Sequence, residues 1–251
     1  MDYTRFINND FLVWTMTTNG YKYLTLNLLE SLKKANIKWK LMIICVDKES
    51  HTFMQSMNVP SVYYKPSVPV IVGTEPSQFG SQTFMTFNKI KLDLIEEIRV
   101  KSPEQVKYIT YMDGDIVVFK DFMPYIKEKF DLSNNILLFQ NDDLYGVQNT
   151  RANGCTGFFT IKRTFMLQSP FYVNNLNLWK EIREDQIWVN NKIVEYNIPF
   201  DYLERDLFPN GPYVKNGAWR KSEPYLIHYN YIVGSDKVRF MKRLKHWYLP
   251  Y

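Results

Sequence analysis

Phe11-Leu12-Val13-Trp14-Thr15-Met16-Thr17 is a short, mostly apolar run closed by the turn Thr18-Asn19-Gly20, and it predicts a buried strand. Leu24, Leu28, Leu29 and Leu32 then recur at helical spacing, predicting a helix over 21–35. Leu41 to Val46 predicts a second buried strand, 49–57 a short helix, and Val62-Tyr63-Tyr64 a third strand. This β-α-β-α-β order implies a mostly parallel, Rossmann-like sheet flanked by helices, an α/β architecture. Residues 66–82, rich in Pro, Ser and Gly, read as a long functional loop. Phe87, Ile90, Leu94, Ile95 and Ile98 mark another amphipathic helix, and Val106 to Met112 a strand that runs into Asp113-Gly114-Asp115. Apolar character resumes at Ile116-Val117-Val118-Phe119. The second half alternates strands at Ile136–Phe139 and Phe158–Ile161 with a helix at Asp185–Tyr196 and longer loops. With no internal repeat or disordered linker, residues 1–251 are expected to form a single compact domain. Residues 1–120 and 121–251 are expected to be its two halves.

Composition narrows the class. Hydrophobic residues make up 45% and charged residues 23%, which suits an ordinary globular protein, while aromatics reach 16%. Many of the tyrosines sit in loop-like stretches, where aromatic walls stack against flat ligands. The net charge of +5 is dispersed, apart from a predicted helix at Lys237–His246 carrying Lys237, Arg239, Lys242, Arg243 and Lys245. That helix is either a solvated face or a holder of phosphates, nucleic acid or an anionic membrane. Cys45 and Cys155 show no paired spacing, so neither a disulfide framework nor a zinc site is indicated. No stretch reaches the length of a membrane span, and the chain opens Met1-Asp2-Tyr3-Thr4-Arg5 without a basic-then-apolar leader. The expected location is therefore the cytoplasm; abundant Phe, Ile, Lys, Asn and Tyr with few Gly and Ala suit an AT-rich genome, of a bacterium or of a large virus, in which case the cytoplasm is the host's.

The chemistry concentrates at Asp113-Gly114-Asp115. Two carboxylates at the end of a buried strand repel one another unless a cation or strong donors compensate them. Ligands of open α/β sheets bind just beyond the carboxyl ends of the strands. A hard divalent cation held there by carboxylate oxygen also bridges diphosphate oxygens. The alternative is an ordinary turn.

Tyr111-Met112-Asp113-Gly114-Asp115-Ile116-Val117-Val118 resembles the Asp-x-Asp segment of GT-A glycosyltransferases. It is most similar to that of the nucleotide-diphospho-sugar transferases, a group that includes extensin-type and pectin-type enzymes with glycogenin-like cousins. Further matches follow in order: Cys155-Thr156-Gly157-Phe158, with Cys where the family has Asn; Asp185-Gln186 followed by Asn190; Phe208-Pro209-Asn210-Gly211; and His228-Tyr229-Asn230 with Gly234 and Lys237. The resemblance implies a GT-A fold and transfer of a sugar from a nucleotide diphosphate, UDP by family habit, to a glycan or protein acceptor. It implies Mn²⁺, with Mg²⁺ as the alternative, on Asp115 and His228, with Asp113 touching ribose or metal and Gly234 and Lys237 at the diphosphate. Asp185 and Gln186 are implied to reach the donor sugar beside the anomeric carbon. The His-to-Gly spacing is longer than in glycogenin-like enzymes.

Other positions stay open between roles. Asp185 is either catalytic or a helix cap. Thr15, Thr17, Asn19 and Tyr21 follow the first strand, where this fold holds base and ribose, although Tyr21 equally suits a core position. One of Lys89 and Lys91 matches a family lysine near the donor, with Lys91 the chosen candidate. Asp142 and Asp143 are either a surface turn or, in an inverting enzyme, the base; the resemblance leans towards retention. Two rivals remain in view. A sugar-1-phosphate nucleotidylyltransferase needs a glycine-rich basic loop after strand one, yet 15–21 holds one Gly and no Arg or Lys. A non-catalytic nucleic-acid or carbohydrate-binding module has no use for Asp113-Gly114-Asp115, and no nucleic-acid partner is expected.

Overall fold

A computed structural model of the chain describes residues 3–66, 73–77, 80–142, 153–164 and 184–250. Its strands are β1 (Ile7–Asn8), β2 (Phe11–Thr17), β3 (Leu41–Cys45), β4 (Ser61–Tyr63), β5 (Tyr108–Met112), β6 (Ile116–Val118), β7 (Leu137–Asn141), β8 (Gly154–Lys162), β9 (Phe200–Leu203) and β10 (Leu226–His228). Its helices are α1 (Lys22–Lys34), α2 (Lys48–Ser56), α3 (Gln82–Lys101), α4 (Met123–Asp131), α5 (Asp185–Glu195), α6 (Gly211–Asn216) and α7 (Gly234–Arg243). The main sheet runs β4-β3-β2-β5-β8-β7-β9, with β1 paired outside β2. β2, β3, β4 and β5 are parallel, as expected, and β7 and β9 are parallel to each other. β8 runs antiparallel between β5 and β7 and joins the two parallel groups.

Near-continuous apolar strands follow from helices on both faces. Alternate residues of each strand feed two cores. Leu12, Trp14, Met42, Ile44, Ile109, Tyr111, Phe139 and Phe159 pack under α3 and α5. Val13, Ile43, Met112, Leu138 and Phe158 pack under α1, α2 and α4. Side chains alternate along a strand with period two, so each neighbouring pair splits between the layers. A third cluster joins Leu24 of α1 and Val117 of β6 to Val214, Ile227, Tyr229 and Met241. β6 and β10 form a separate two-stranded ribbon, with Ile116 opposite His228. That ribbon carries the C-terminal segment back to the end of β5.

The predicted elements occur within a few residues of their expected bounds. The basic C-terminal helix differs: it starts at Gly234, ends at Arg243, and leaves Lys245 outside at φ 61°. Much of the predicted loop, at 67–72 and 78–79, lies outside the described residues, as does Asp143. Among the described residues no helix is long and apolar enough to cross a membrane.

Candidate active site

Asp113 and Asp115 sit where β5 ends and β6 begins. The Asp113 amide donates to the Gly157 carbonyl at 2.7 Å, so β8 holds the turn from one side. α1 holds it from the other: a side chain at Gly114 would put Cβ 2.7 Å from Thr25 Oγ1. Antiparallel pairing with β6 then delivers His228 opposite Ile116, one residue past Asp115. Asp113, Asp115 and His228 each offer a ligand atom, all within 4.8 Å of one another.

The protonation pattern of His228 follows from its neighbours. Gln140, buried in β7, donates through Nε2 to the carbonyls of Phe208 and Pro209, at 2.9 and 3.2 Å. Both amide hydrogens are thereby used, and Gln140 Oε1 faces His228 Nδ1 at 2.8 Å as an acceptor. Nδ1 therefore carries the proton, and Nε2 points at Asp113 Oδ2 and Asp115 Oδ1, at 3.5 and 3.3 Å. Neither Nε2 nor Asp115 Oδ1 has a hydrogen-bond partner, though both are buried. Gly157 keeps the space open: a Cβ there would lie 2.3 Å from His228 Cε1 and 2.5 Å from Asp113 Oδ2.

Two buried ligand atoms without hydrogen-bond partners, converging beside a second carboxylate, fit a divalent cation. Lys237, from α7, pairs with the other oxygen of Asp115. Burial acts to raise the Asp115 carboxyl, but Lys237 and His228 more than reverse it and hold it well below the usual carboxylate range. Burial likewise pushes His228 down, while Asp115 and Asp113 overcome this and raise it well above its ordinary value, so in the absence of a cation Nε2 carries a proton that a bound cation would replace.

A second buried ion pair lies across the cavity. Lys91 of α3 pairs with Asp185, the first residue of α5, and donates to the Thr156 carbonyl at 3.2 Å. Thr156 Oγ1 donates to Asp185 Oδ2 at 2.8 Å. The capping position belongs to Glu184, which makes no side-chain cap. Asp185 therefore directs its carboxylate into the site and caps no helix. Asn190, one helical turn on, exchanges hydrogen bonds with both backbone groups of Gly154 and fixes α5 against β8.

Asp142, read as a surface turn or an inverting base, is buried at the end of β7. Its carboxylate accepts from Asn210 at 2.8 Å, Asn230 at 3.2 Å, Gln186 at 2.8 Å and the Tyr231 hydroxyl at 2.6 Å. Both oxygens are committed to neutral donors, so Asp142 positions its neighbours and is not a free base.

These residues enclose one cavity of about 560 Å³. It gathers Tyr21, Lys91, Asp113, Asp115, Asp185, Gln186, His228 and Lys237. Thr15, Thr17, Asn19 and Gly234 do not line it. Alternation along β2 turns Met16 to the cavity, while Thr17 bonds Thr25 of α1 at 2.9 Å. The Asn19 amide is held by Asp47 at 2.9 Å, and its side chain accepts from Lys22. Lys89 also lies outside the lining, which leaves Lys91 as the lysine of that pair in the site. Gln140, Thr156 and Tyr231 were not foreseen. A polar residue in the otherwise apolar Leu137-Leu138-Phe139-Gln140 was the available signal.

A profile of the nucleotide-diphospho-sugar transferases matches residues 37–241. The chain belongs to this family. The transferase has the GT-A fold of solved glycosyltransferases, although sequence identity to them is low. Galactosyltransferase LgtC, solved with donor and acceptor sugar analogues, matches at TM-score 0.53 and 12% identity, over 94% of this chain and 96% of that one. Glycosyltransferase GlyE of Streptococcus pneumoniae TIGR4 matches at 0.57 and 13%, over 97% and 61%. Mouse xyloside xylosyltransferase 1 matches at 0.52 and 11%, over 87% and 97%. No curated protein sequence matches the transferase. It is a GT-A glycosyltransferase that uses a nucleotide-sugar donor.

Proposed function

We propose that the transferase moves a sugar from a UDP-sugar to a glycan or protein acceptor with retention, using Mn²⁺ held by Asp113, Asp115 and His228. The observation that carries this is the convergence of His228 Nε2 and Asp115 Oδ1, buried and unpartnered, on one point beside Lys237. An imidazole nitrogen among the ligands favours Mn²⁺ over Mg²⁺, which prefers all-oxygen shells. When bound, the cation neutralises the charge that builds on the departing diphosphate.

The remaining roles fall to the chain. Lys237 turns from Asp115 to share the diphosphate. Asp185, held by Lys91 and Thr156, faces the anomeric carbon and favours positive charge there. Asp142 carries four hydrogen bonds from neutral donors, which speaks against inversion through that carboxylate and supports retention. Tyr21, at the start of α1, walls the nucleotide side. Residues 1–120 serve the nucleotide, and 121–251 complete the acceptor side of one domain. Both cysteines are free and buried, in keeping with a reducing cytoplasm.

Calorimetric titration of UDP with Mn²⁺ and with chelator tests the reading. Affinity should depend on the metal, and Asp115→Asn should abolish that dependence while the protein still melts cooperatively. Equal UDP affinity with and without metal overturns it. A nucleotide-sugar screen by thermal shift names the donor, and the anomeric configuration of the product tests retention.

A further inference from the structure

The positive charge of the transferase is concentrated in one place. Residues 211–250 hold eight of the 31 basic residues and two of the 26 acidic ones, a net of +6 against +5 for the whole chain. The rest of the molecule is therefore close to neutral. This segment is also one packed unit. Val214 and Trp219 share a cluster with Phe240, Met241, Leu244 and Trp247, and the Trp219 and His246 rings lie 5.8 Å apart.

Lys215, Arg220, Lys221, Lys242, Arg243 and Lys245 are all exposed on this unit. Elsewhere several lysines pair with an acid, Lys33 with Glu30, Lys101 with Glu97, Lys129 with Glu204 and Lys192 with Glu195, whereas the exposed Lys38, Lys40 and Lys48 do not. Among the described residues of the basic unit, buried Lys237 pairs with Asp115 and Arg239 with Asp236 at 3.1 Å, and the six exposed cations named above have no ion pair. The one other acid, Glu223, is turned to Lys120.

The unit also borders the cavity. Tyr231, Ile232 and Val233 line the cavity immediately before α7, and Lys215 Nζ donates to the Tyr231 carbonyl at 3.2 Å. From there α7 extends for ten residues, roughly 15 Å, with Lys237 lining the cavity and Arg239, Lys242 and Arg243 exposed.

Resting on the transfer reading above, we infer that this ridge binds the acceptor and that the acceptor is an anionic glycan bearing carboxylate, phosphate or sulfate groups. Unpaired cations flanking the mouth attract and align such a chain so that its terminal hydroxyl enters the cavity. A membrane surface fits less well. Trp219, Phe240, Trp247 and Tyr248 are packed in its cluster, and the exposed Tyr231 and Val233 are too few to form a row of apolar side chains to insert. The same inward packing removes the stacking platform that single-stranded nucleic acid uses.

The test compares a uronic-acid hexasaccharide with its carboxyl-reduced, neutral counterpart, in the presence of UDP and Mn²⁺. Wild type should bind the charged form roughly tenfold or more tightly in 0.05 M salt, and about 0.5 M salt should remove most of that preference. Lys221→Glu, Lys242→Glu and Lys245→Glu together should abolish the preference and leave UDP–Mn²⁺ affinity and melting temperature unchanged. The same charge change at the exposed Lys38, Lys40 and Lys48 should leave it intact. Equal binding of the two hexasaccharides, or a preference that survives the ridge reversal, overturns the inference while UDP binding still upholds the transfer reading. Binding to vesicles of anionic lipid or to RNA, with none to the hexasaccharide, overturns it in favour of those partners. Loss of metal-dependent UDP binding in wild type overturns both.

Discussion

Gln140 touches no substrate, yet Gln140→Met should weaken Mn²⁺ binding by roughly ten- to a hundredfold. That corresponds to about 1.4–2.7 kcal/mol and is the usual consequence of removing a group that orients a metal-binding histidine. Oε1 accepts the proton of His228 Nδ1 at 2.8 Å and so fixes the lone pair of Nε2 towards Asp113 and Asp115. Methionine keeps the length and apolar stem but removes that acceptor. The only other group near Nδ1 is Cys155 Sγ at 3.8 Å, a weak acceptor that cannot fix the ring. Stability should fall less than the count of lost bonds suggests. The Pro209 carbonyl keeps the His228 amide at 3.0 Å, and only the Phe208 carbonyl and Nδ1–H are left short. About 2–4 kcal/mol is expected for two such groups. Calorimetry of Mn²⁺ without nucleotide gives the affinity, and ¹⁵N spectra of the imidazole report which nitrogen bears the proton. Metal affinity within twofold of wild type, or unchanged imidazole spectra, would refute the reasoning. Cys155→Ala should change metal affinity by less than a factor of about three and serves as the control.

Lys91→Met strands the buried Asp185 carboxylate and should cost about 3–5 kcal/mol of stability, read as a fall of roughly 10 °C in melting temperature. Asp185→Asn keeps an acceptor for the Thr156 hydroxyl but strands the Lys91 ammonium, so it should lower stability as Lys91→Met does and, in the protein that remains folded, lower turnover at least about a hundredfold with UDP affinity little changed; near wild-type turnover would return it to a structural role. Lys237→Met should move two affinities oppositely, with Mn²⁺ roughly tenfold tighter because a competing positive charge is gone, and UDP weaker; calorimetry of each ligand separately checks the signs. Burial lowers the pKa of His246 to about 4, from an ordinary 6.5. The unfolded chain therefore takes up that proton first as pH falls, so stability is complete above pH 6.5 and declines towards pH 4. The loss is about 1–2 kcal/mol after discounting for partial exposure. His246→Gln should flatten that part of the pH–stability curve.

The parts of this fold that show in the sequence are those where one physical demand acts on adjacent residues. β2, β3 and β5 stand out because both faces are buried, which forces apolar residues at consecutive positions. The acidic turn stands out because nothing else about a buried strand end calls for Asp113 and Asp115. The direction of β8 does not show, since Gly154–Lys162 is as apolar as a parallel strand and its partner β5 lies far away in sequence. α4 is hidden by its short length, with three buried residues (Met123, Ile126 and Phe130) and Pro124 beside its start. Within the site, Asp142 is unreadable locally because its four donors arrive from α5, from the residue before α6 and from the loop after β10. Thr15 and Thr17 were drawn to the site by their place after an apolar run. The two-residue period that points Met16 inward instead was readable from the sequence.

The charges lining the cavity bear on the proposed coupling of metal and donor. Among the described residues, Asp113, Asp115, Asp142, Asp185 and Glu184 face it, against Lys91, Lys237 and His228. Both lysines are already paired, Lys91 with Asp185 and Lys237 with Asp115. A diphosphate entering this interior meets carboxylates whose nearest cations are spent. On the proposed reading, Asp113, Asp115 and His228 would hold a divalent ion that supplies positive charge at that point. Lys237, sharing Asp115 with it, would then be free to meet the incoming phosphate oxygens. The site would thus gain two positive contacts from one cation. Chelation should therefore abolish donor affinity rather than reduce it by the share of a single ligand. Lys237→Met removes only the second contact, so its UDP affinity should fall between those of the metal-loaded and metal-free wild type.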